Sequence, residues 1–178
     1  SMIQVKSISK DILTALAFLE EHNVVHCDIK PENILLCPNT TKKVRIIDFG
    51  SSCIKGEDKF EYIQSRFYRA PEVILGLKYG PPMDIWSFGC IVAEMILGRP
   101  LFNGNDESEQ LELYMEVFGL PPMDLIDKSP RKHYFFDEHY KFISHSNLKK
   151  KKRVGSISLA SLTKIPNPIL LDLLSNSE

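Results

Sequence analysis

Four side chains in the first third of the sequence suit the transfer of a phosphoryl group: Asp28, Lys30, Asn33 and Asp48. A carboxylate can accept the proton of an attacking hydroxyl group, and a lysine can neutralise charge on the phosphoryl group as it moves. An amide oxygen and a second carboxylate are oxygen ligands of the kind that Mg²⁺ prefers. Any one of these residues alone is more simply interpreted as a solvated loop charge, but the spacing of all four together favours a phosphoryl-transfer site.

Short extended segments surround these side chains. Residues 24–25, 34–36 and 44–47 are mostly apolar and predict three short strands, and Pro38-Asn39 predicts the turn between the last two. Residues 48–72 show no hydrophobic period, which predicts a long loop. A long loop in a compact domain is usually functional or disordered.

The remaining sequence is mainly helical. Apolar residues at helical spacing predict an amphipathic helix over about residues 3–21 and another between residues 111 and 118. Residues 84–97 are apolar on nearly every face, which predicts a buried helix that ends at Gly98. Residues 123–166 have no period and are predicted to be irregular.

Length and composition indicate a single domain of ordinary globular type. The chain has 178 residues and a formal net charge of −1, so its charge gives no reason to expect a direct nucleic-acid partner or an anionic membrane. No apolar run approaches the roughly 20 residues of a membrane-spanning helix. The four cysteines have no metal-binding spacing and are predicted to be reduced thiols, as in the cytoplasm or nucleus.

Four short motifs resemble those of the protein kinases. Residues 26–33 read HCDIKPEN and resemble the catalytic loop HRDLxxxN, and residues 48–50 read DFG. Residues 70–72 read APE, and residues 84–89 read DIWSFG and are similar to the buried kinase helix that supports the catalytic loop. By these motifs, in this order, the chain from about residue 5 to its end is identified as a member of the eukaryotic protein kinase family.

The resemblance implies a fold, a reaction and a set of roles. The implied fold is the mainly α C-terminal lobe of a kinase, with short strands around the catalytic loop. The implied reaction transfers the γ-phosphate of ATP to serine or threonine hydroxyls of protein substrates, with Mg²⁺ as cofactor. Asp28 would be the catalytic base and Lys30 would contact the transferred phosphate. Asn33 and Asp48 would hold Mg²⁺, and Leu35 would form the floor of the adenine site.

The finer resemblance is to the dual-specificity tyrosine-regulated kinases (DYRK) of the CMGC group. Cys27 replaces the arginine of HRD, and residues 47–53 and 62–72 are similar to that family almost letter for letter. Homeodomain-interacting kinases share the HCD sequence and remain the alternative. The DYRK resemblance implies substrates that often carry proline after the acceptor, and autophosphorylation on tyrosine in the activation loop.

The activation loop departs from the family pattern at one position. The YxY sequence is replaced by Phe60-Glu61-Tyr62, so Tyr62 is the candidate phosphosite. Arg66 and Arg69 follow closely and are the candidate phosphate-binding residues, since arginine forks hold phosphate well. The alternative is that Tyr62 packs as an ordinary aromatic residue.

The sequence has no glycine-rich GxGxxG loop, no VAIK-like lysine and no counterpart of the helix-C glutamate. Residues 1–178 are therefore expected to form a partial C-terminal lobe without its N-terminal lobe and final helices. Residues 123–166 would be the CMGC-type insert. The basic run 149–153 is predicted to be a solvated part of it, and the alternative is a nuclear localisation signal. A last helix is predicted at 169–174.

Two classes of function follow from this pattern. The chain is either a fragment of an active kinase, inactive in isolation, or a truncated binding module without catalysis. The four polar residues of the catalytic loop and DFG motif favour the first, because a module that only binds has no physical need for them. The isolated chain is expected to bind nucleotide weakly and to self-associate through its uncovered apolar face.

Overall fold

The computed structural model of the chain describes residues 2–38, 43–57, 62–145 and 153–163. Several sequence-based predictions lie outside the described residues. These are the second half of the Pro38-Asn39 turn, the Phe60-Glu61 pair, most of the basic run, and the helix predicted at 169–174.

Most of the described residues that are regular are helical, and four very short strands flank the catalytic loop, so the prediction of a mainly α fold is confirmed. The helices are α1 (Met2–Glu21), α2 (Pro71–Ile74), α3 (Pro81–Leu97), α4 (Glu107–Phe118), α5 (Met123–Lys128), α6 (Lys132–Phe135) and α7 (Leu159–Thr163). The strands are β1 (Val24–Val25), β2 (Ile34–Leu36), β3 (Val44–Ile46) and β4 (Cys53–Ile54). Single 3₁₀ turns occupy Pro31–Asn33 and Arg66–Tyr68.

The strands form two antiparallel pairs that bracket the catalytic loop. β1 pairs with β4, with Val25 opposite Cys53, and β2 pairs with β3, with Ile34 opposite Ile46. Asp11 of α1 ties the second pair to the helical body, because its carboxylate accepts the backbone N–H of Val44 at 3.0 Å. The loop between β1 and β2 is thus held at both ends.

Helix α3 forms the centre of the core, as its apolar sequence predicts. It packs against α1, whose buried face includes Ile12 and Leu16. Gly98 ends α3 in the left-handed conformation, with φ of 70°, and donates its N–H to the carbonyl of Glu94 at 2.8 Å. Glycine is favoured there because it adopts positive φ without steric cost.

Two predictions of irregular structure were wrong. The 48–72 segment contains β4, a 3₁₀ turn and the start of α2, and the 123–166 segment contains α5, α6 and α7. These elements have two to six residues each, which is too short for a hydrophobic period to appear in the sequence. Among the described residues, no helix is both long and apolar enough to cross a membrane.

Candidate active site

The catalytic loop is anchored by a carboxylate from the buried helix. Asp84 in the first turn of α3 accepts the backbone N–H of His26 at 2.7 Å and that of Cys27 at 3.0 Å. Cys27 has a positive φ of 69°, so the chain turns sharply just before Asp28. Burial raises the pKa of Asp84 to about 6, although the two N–H donors oppose this shift. The anchor fixes the backbone immediately before the proposed base.

Asp28 lies at the centre of a polar cluster. Its carboxylate contacts the Lys30 ammonium at 2.7 Å and accepts a hydrogen bond from the Ser65 hydroxyl at 2.9 Å. Burial by itself would raise the pKa of Asp28, but the bonds from Lys30 and Ser65 outweigh it and the pKa is lowered. Asp28 is therefore ionised at neutral pH and can accept a hydrogen bond from a hydroxyl group.

Ser65 is a site residue that the sequence reasoning missed. Its hydroxyl donates to Asp28 and accepts from the Lys30 ammonium at 3.2 Å, so it bridges the two charged groups. Ser65 comes from the activation segment, 37 positions after Asp28. Its place in the sequence QSRFYRAPE was the only available signal, and serine there is not distinctive by residue type.

Asn33 and Asp48 are brought together by the second strand pair. The Ile47 N–H donates to the Asn33 carbonyl at 2.9 Å, so the residue that precedes Asp48 is bonded directly to Asn33. The Asn33 amide nitrogen donates to the Asp28 carbonyl at 2.8 Å, so its amide oxygen points elsewhere. Asp48 has a positive φ of 64° and accepts the Gly50 N–H at 3.2 Å.

This donor set fits Mg²⁺ bound together with a nucleotide. One amide oxygen and one carboxylate remain for the ion, and Mg²⁺ commonly binds to one or two protein oxygens plus phosphates and water. The part of the chain that the structure describes has no cluster of three or more His, Cys, Asp or Glu residues able to hold a metal.

The Leu35 side chain is 50% exposed in β2, where Leu35 pairs with Arg45 of β3. Successive side chains of a strand point to opposite faces, so Leu35 and Leu36 lie on different faces of this strand pair. Leu35 is thus accessible to a flat ring such as adenine.

The two activation-loop arginines, Arg66 and Arg69, differ in how many of their guanidinium donors form hydrogen bonds. Arg69 is buried and donates to the carbonyls of Ile63 and Gln64, at 2.8 and 2.7 Å, and to Glu107 at 2.9 Å. Tyr62 is 69% exposed, and its ring lies over the Arg69 guanidinium, 3.9 Å from the ring centroid. The Arg69 guanidinium therefore stacks on the ring of Tyr62, the candidate phosphosite, while its N–H donors bind two backbone carbonyls and Glu107.

Arg66, unlike Arg69, has a buried side-chain donor that is not hydrogen-bonded to any described residue. Its Nε atom is buried without a hydrogen-bond partner among the described residues, and its guanidinium lies 5.8 Å from the Phe67 ring centroid. Of the two predicted phosphate-binding residues, Arg66 is the one with an unused buried donor.

All four cysteines are free thiols, in agreement with the sequence-based prediction. Cys27 and Cys53 are buried, with their sulfur atoms 3.5 Å apart. Burial raises the pKa of the Cys27 thiol, so at neutral pH this residue carries no charge where HRD kinases have an arginine.

Comparisons with known proteins agree with this geometry. The family described as the protein kinase domain matches residues 1–162. The chain is 57% identical over 136 residues to the DYRK-family kinase pom1 of Schizosaccharomyces pombe, a match that covers 76% of the chain and 12% of that protein. It is 50% identical over 133 residues to the human dual specificity tyrosine-phosphorylation-regulated kinase 3, covering 75% of the chain and 23% of the relative.

A longer match reaches almost the whole chain. The Drosophila melanogaster dual specificity tyrosine-phosphorylation-regulated kinase 2 is 46% identical over 175 residues, which is 98% of the chain and 24% of that protein. The chain thus spans a quarter or less of the length of these relatives. The motifs, the site geometry and the matches lead to one conclusion: the chain belongs to the protein kinase family and, within it, to the DYRK-type kinases of the CMGC group.

Proposed function

We propose that this chain is the catalytic lobe of a protein serine/threonine kinase that transfers the γ-phosphate of ATP to hydroxyl groups of protein substrates. The observation that carries the proposal is the cluster of Asp28, Lys30 and Ser65, held in place through Asp84. A charged carboxylate and a lysine at 2.7 Å are suited to bind a hydroxyl group and a phosphoryl group side by side.

The proposed mechanism assigns each side chain one task. Asp28 accepts the hydrogen bond of the substrate hydroxyl and orients its oxygen for attack on phosphorus. The Lys30 ammonium moves from Asp28 towards the transferred phosphoryl oxygens and neutralises their charge. Asn33 and Asp48 would hold Mg²⁺, which neutralises phosphate charge when it is bound. Leu35 would support the adenine ring.

Gln64 favours substrates with proline after the acceptor. Its backbone is left-handed, with φ of 65°, and its carbonyl is taken up by the Arg69 guanidinium at 2.7 Å. Because that carbonyl is directed at the buried guanidinium, it is poorly placed to accept a backbone N–H from the substrate residue that follows the acceptor. An unsatisfied N–H costs free energy, and proline has none to satisfy.

Tyrosine autophosphorylation at Tyr62 belongs to the same proposal. Tyr62 is the most exposed tyrosine of the activation segment among the described residues, and the Nε of Arg66 in the same segment has no described partner. The cytoplasm or the nucleus is the proposed location, supported by the four free thiols.

A chimera that joins residues 1–178 to the N-terminal lobe of a DYRK relative provides the test. We expect it to phosphorylate a serine peptide, with a kcat/KM roughly tenfold or more higher when proline follows the serine than when alanine does. Equal values for the two peptides would contradict the role of Gln64. No phosphotransfer above that of an Asp28→Asn chimera, although the protein is folded, would contradict the proposed function.

A further inference from the structure

One carboxylate joins the activation segment to the segment that follows α4. Glu107, in the first turn of α4, accepts a hydrogen bond from Arg69 at 2.9 Å with one oxygen and from Arg131 at 2.8 Å with the other. The side chains of Arg69, Glu107 and Arg131 are 1%, 20% and 35% exposed. The Glu107 carboxylate is therefore held between two guanidinium groups, one of them fully buried.

On the activation-segment side, the Arg69 guanidinium binds two consecutive backbone carbonyls. Its Nε donates to the Ile63 carbonyl at 2.8 Å and its Nη2 to the Gln64 carbonyl at 2.7 Å. Together with the hydrogen bonds of the Gln64 side chain to Met83, Ser87 and Ala70, these bonds hold the left-handed turn at Gln64, a conformation that is uncommon for a residue other than glycine. Without the Glu107 carboxylate, the buried Arg69 charge would lose its ionic partner.

On the other side, Arg131 is itself held firmly. Its Nη1 donates to the Ile74 carbonyl, at the end of α2, at 2.6 Å. Its guanidinium lies over the Phe135 ring, at 5.0 Å from the centroid, and near the Tyr134 ring at 5.6 Å. Arg131 thus presents a fixed cation to Glu107, and this reduces the number of orientations that the carboxylate can adopt.

We propose that Arg131 and Glu107 are positioning residues for substrate selection. Arg131 orients Glu107, Glu107 orients Arg69, and Arg69 fixes the turn at Gln64 that the substrate residue after the acceptor meets. The effect on substrate selection rests on the proposed kinase function. The effect on the Gln64 turn is independent of that function, because the turn is a property of the folded chain.

Hydrogen–deuterium exchange of the 178-residue chain tests the turn directly. Arg131→Met keeps most of the side-chain length and removes the charge and the donors. We expect amides of residues 62–70 to exchange roughly fivefold faster, with α1 unchanged. Lys128→Met is the matched control, because Lys128 is exposed and pairs with the exposed Asp124 at 3.6 Å, and it should leave the exchange of residues 62–70 unchanged.

A double variant separates the relay from a local effect on α2. If Arg131 acts through Glu107, Arg131→Met should add nothing to the exchange of residues 62–70 in a Glu107→Gln background. Faster exchange of residues 71–77 alone would overturn the proposal, as would full additivity of the two changes. If Arg131→Met fails to fold, Arg131→Lys takes its place, because it keeps one charge and removes the guanidinium. It too should speed the exchange of residues 62–70 and should add nothing in the Glu107→Gln background.

Kinetics of the chimera with the N-terminal lobe of a DYRK relative test the effect on substrate selection. Arg131→Met should raise the KM for the serine-proline peptide roughly fivefold with kcat little changed, and should narrow the preference over the serine-alanine peptide. An unchanged preference together with a changed exchange would overturn the role in substrate selection. A chimera with no activity in any form would count against the proposed function, and the exchange result would still decide whether the relay exists.

Discussion

Asp84 accepts the backbone N–H of His26 at 2.7 Å, although the two residues are 58 positions apart in the sequence. This bond joins helix α3, at the centre of the core, to the loop that carries the proposed base. It also places an ionisable carboxyl group in the interior, where ionisation is disfavoured. The anchor of the catalytic loop is therefore sensitive to pH.

We predict that the stability contributed by Asp84 declines as pH rises. Burial raises its folded pKa to about 6, above the ordinary value of about 4. The contribution is complete below about pH 4, where both folded and unfolded carboxyl groups are protonated, and is lost as pH rises through 6. Relative to Asp84→Asn, the wild-type chain should lose on the order of 3 kcal/mol of unfolding free energy between pH 4 and 7.

Denaturant unfolding at pH 4, 5, 6 and 7 measures this difference. Asp124→Asn is the control, because Asp124 is exposed on α5 and its ion pair with Lys128 lies at the surface. A difference between wild type and Asp84→Asn that does not change with pH would show that Asp84 is not the titrating group.

Ser65→Ala should impair catalysis without unfolding the lobe. The alanine removes the hydroxyl group that donates to Asp28 and accepts from Lys30. The carboxylate and the ammonium group then lose the hydrogen-bonded bridge that orients both of them. We expect kcat of the chimera to fall roughly tenfold while nucleotide affinity stays constant. Ser65→Thr keeps the hydroxyl group and should retain most of the activity. Equal rates for the alanine and threonine variants would remove Ser65 from the site.

Phosphate is expected on Tyr62 when the chimera is expressed in a heterologous host. Tyr62 is 69% exposed, whereas Tyr68 is buried with its hydroxyl donating to Glu94 at 2.7 Å. Peptide mass spectrometry should therefore find phosphate on Tyr62 and none on Tyr68, and an Asp28→Asn chimera should carry none at either position. Stoichiometric phosphate on Tyr68 with none on Tyr62 would refute the assignment.

The 178-residue chain by itself is predicted to be inactive and to self-associate. Its sequence contains no glycine-rich loop or VAIK-like lysine, both of which kinases use to orient ATP phosphates. Phe18 and Leu36 are 58% and 59% exposed, and exposed apolar side chains promote association. Light scattering should detect oligomers that Phe18→Asp reduces, and calorimetry should detect only weak nucleotide binding. Robust turnover from a purified monomer would contradict both expectations.

The sequence was informative where a pattern extends over many residues. Helices α1 and α3 and the core of α4 were predicted because each runs for three turns or more with a visible apolar pattern. Strand β4 was not predicted, because its two residues, Cys53 and Ile54, are defined only by pairing with β1. A contact of that kind leaves no periodic trace in the chain.

The same distinction applies to the site. Asp28, Lys30, Asn33 and Asp48 lie in short motifs, and the structure brings them around one loop. Ser65 could not be assigned from sequence, because its role depends on a fold that brings it to a residue 37 positions earlier.

Arg69 was assigned a role from the sequence, but its surroundings in the fold could not be seen there. Its position predicted a phosphate-binding role, but burial and three acceptors already occupy the guanidinium. Residue type and spacing do not reveal whether the donors of an arginine are free.

The most direct test of the account compares Asp28→Asn with Asp48→Asn in the chimera, by steady-state kinetics and nucleotide titration. Asp28→Asn removes proton acceptance and hydroxyl orientation but leaves the proposed metal ligands, so kcat should fall by roughly 10² or more with nucleotide affinity preserved. Asp48→Asn should weaken Mg²⁺-dependent nucleotide binding as well. A kcat unchanged by Asp28→Asn would contradict the assignment of Asp28 as the base and, with it, the proposed phosphoryl transfer at this site.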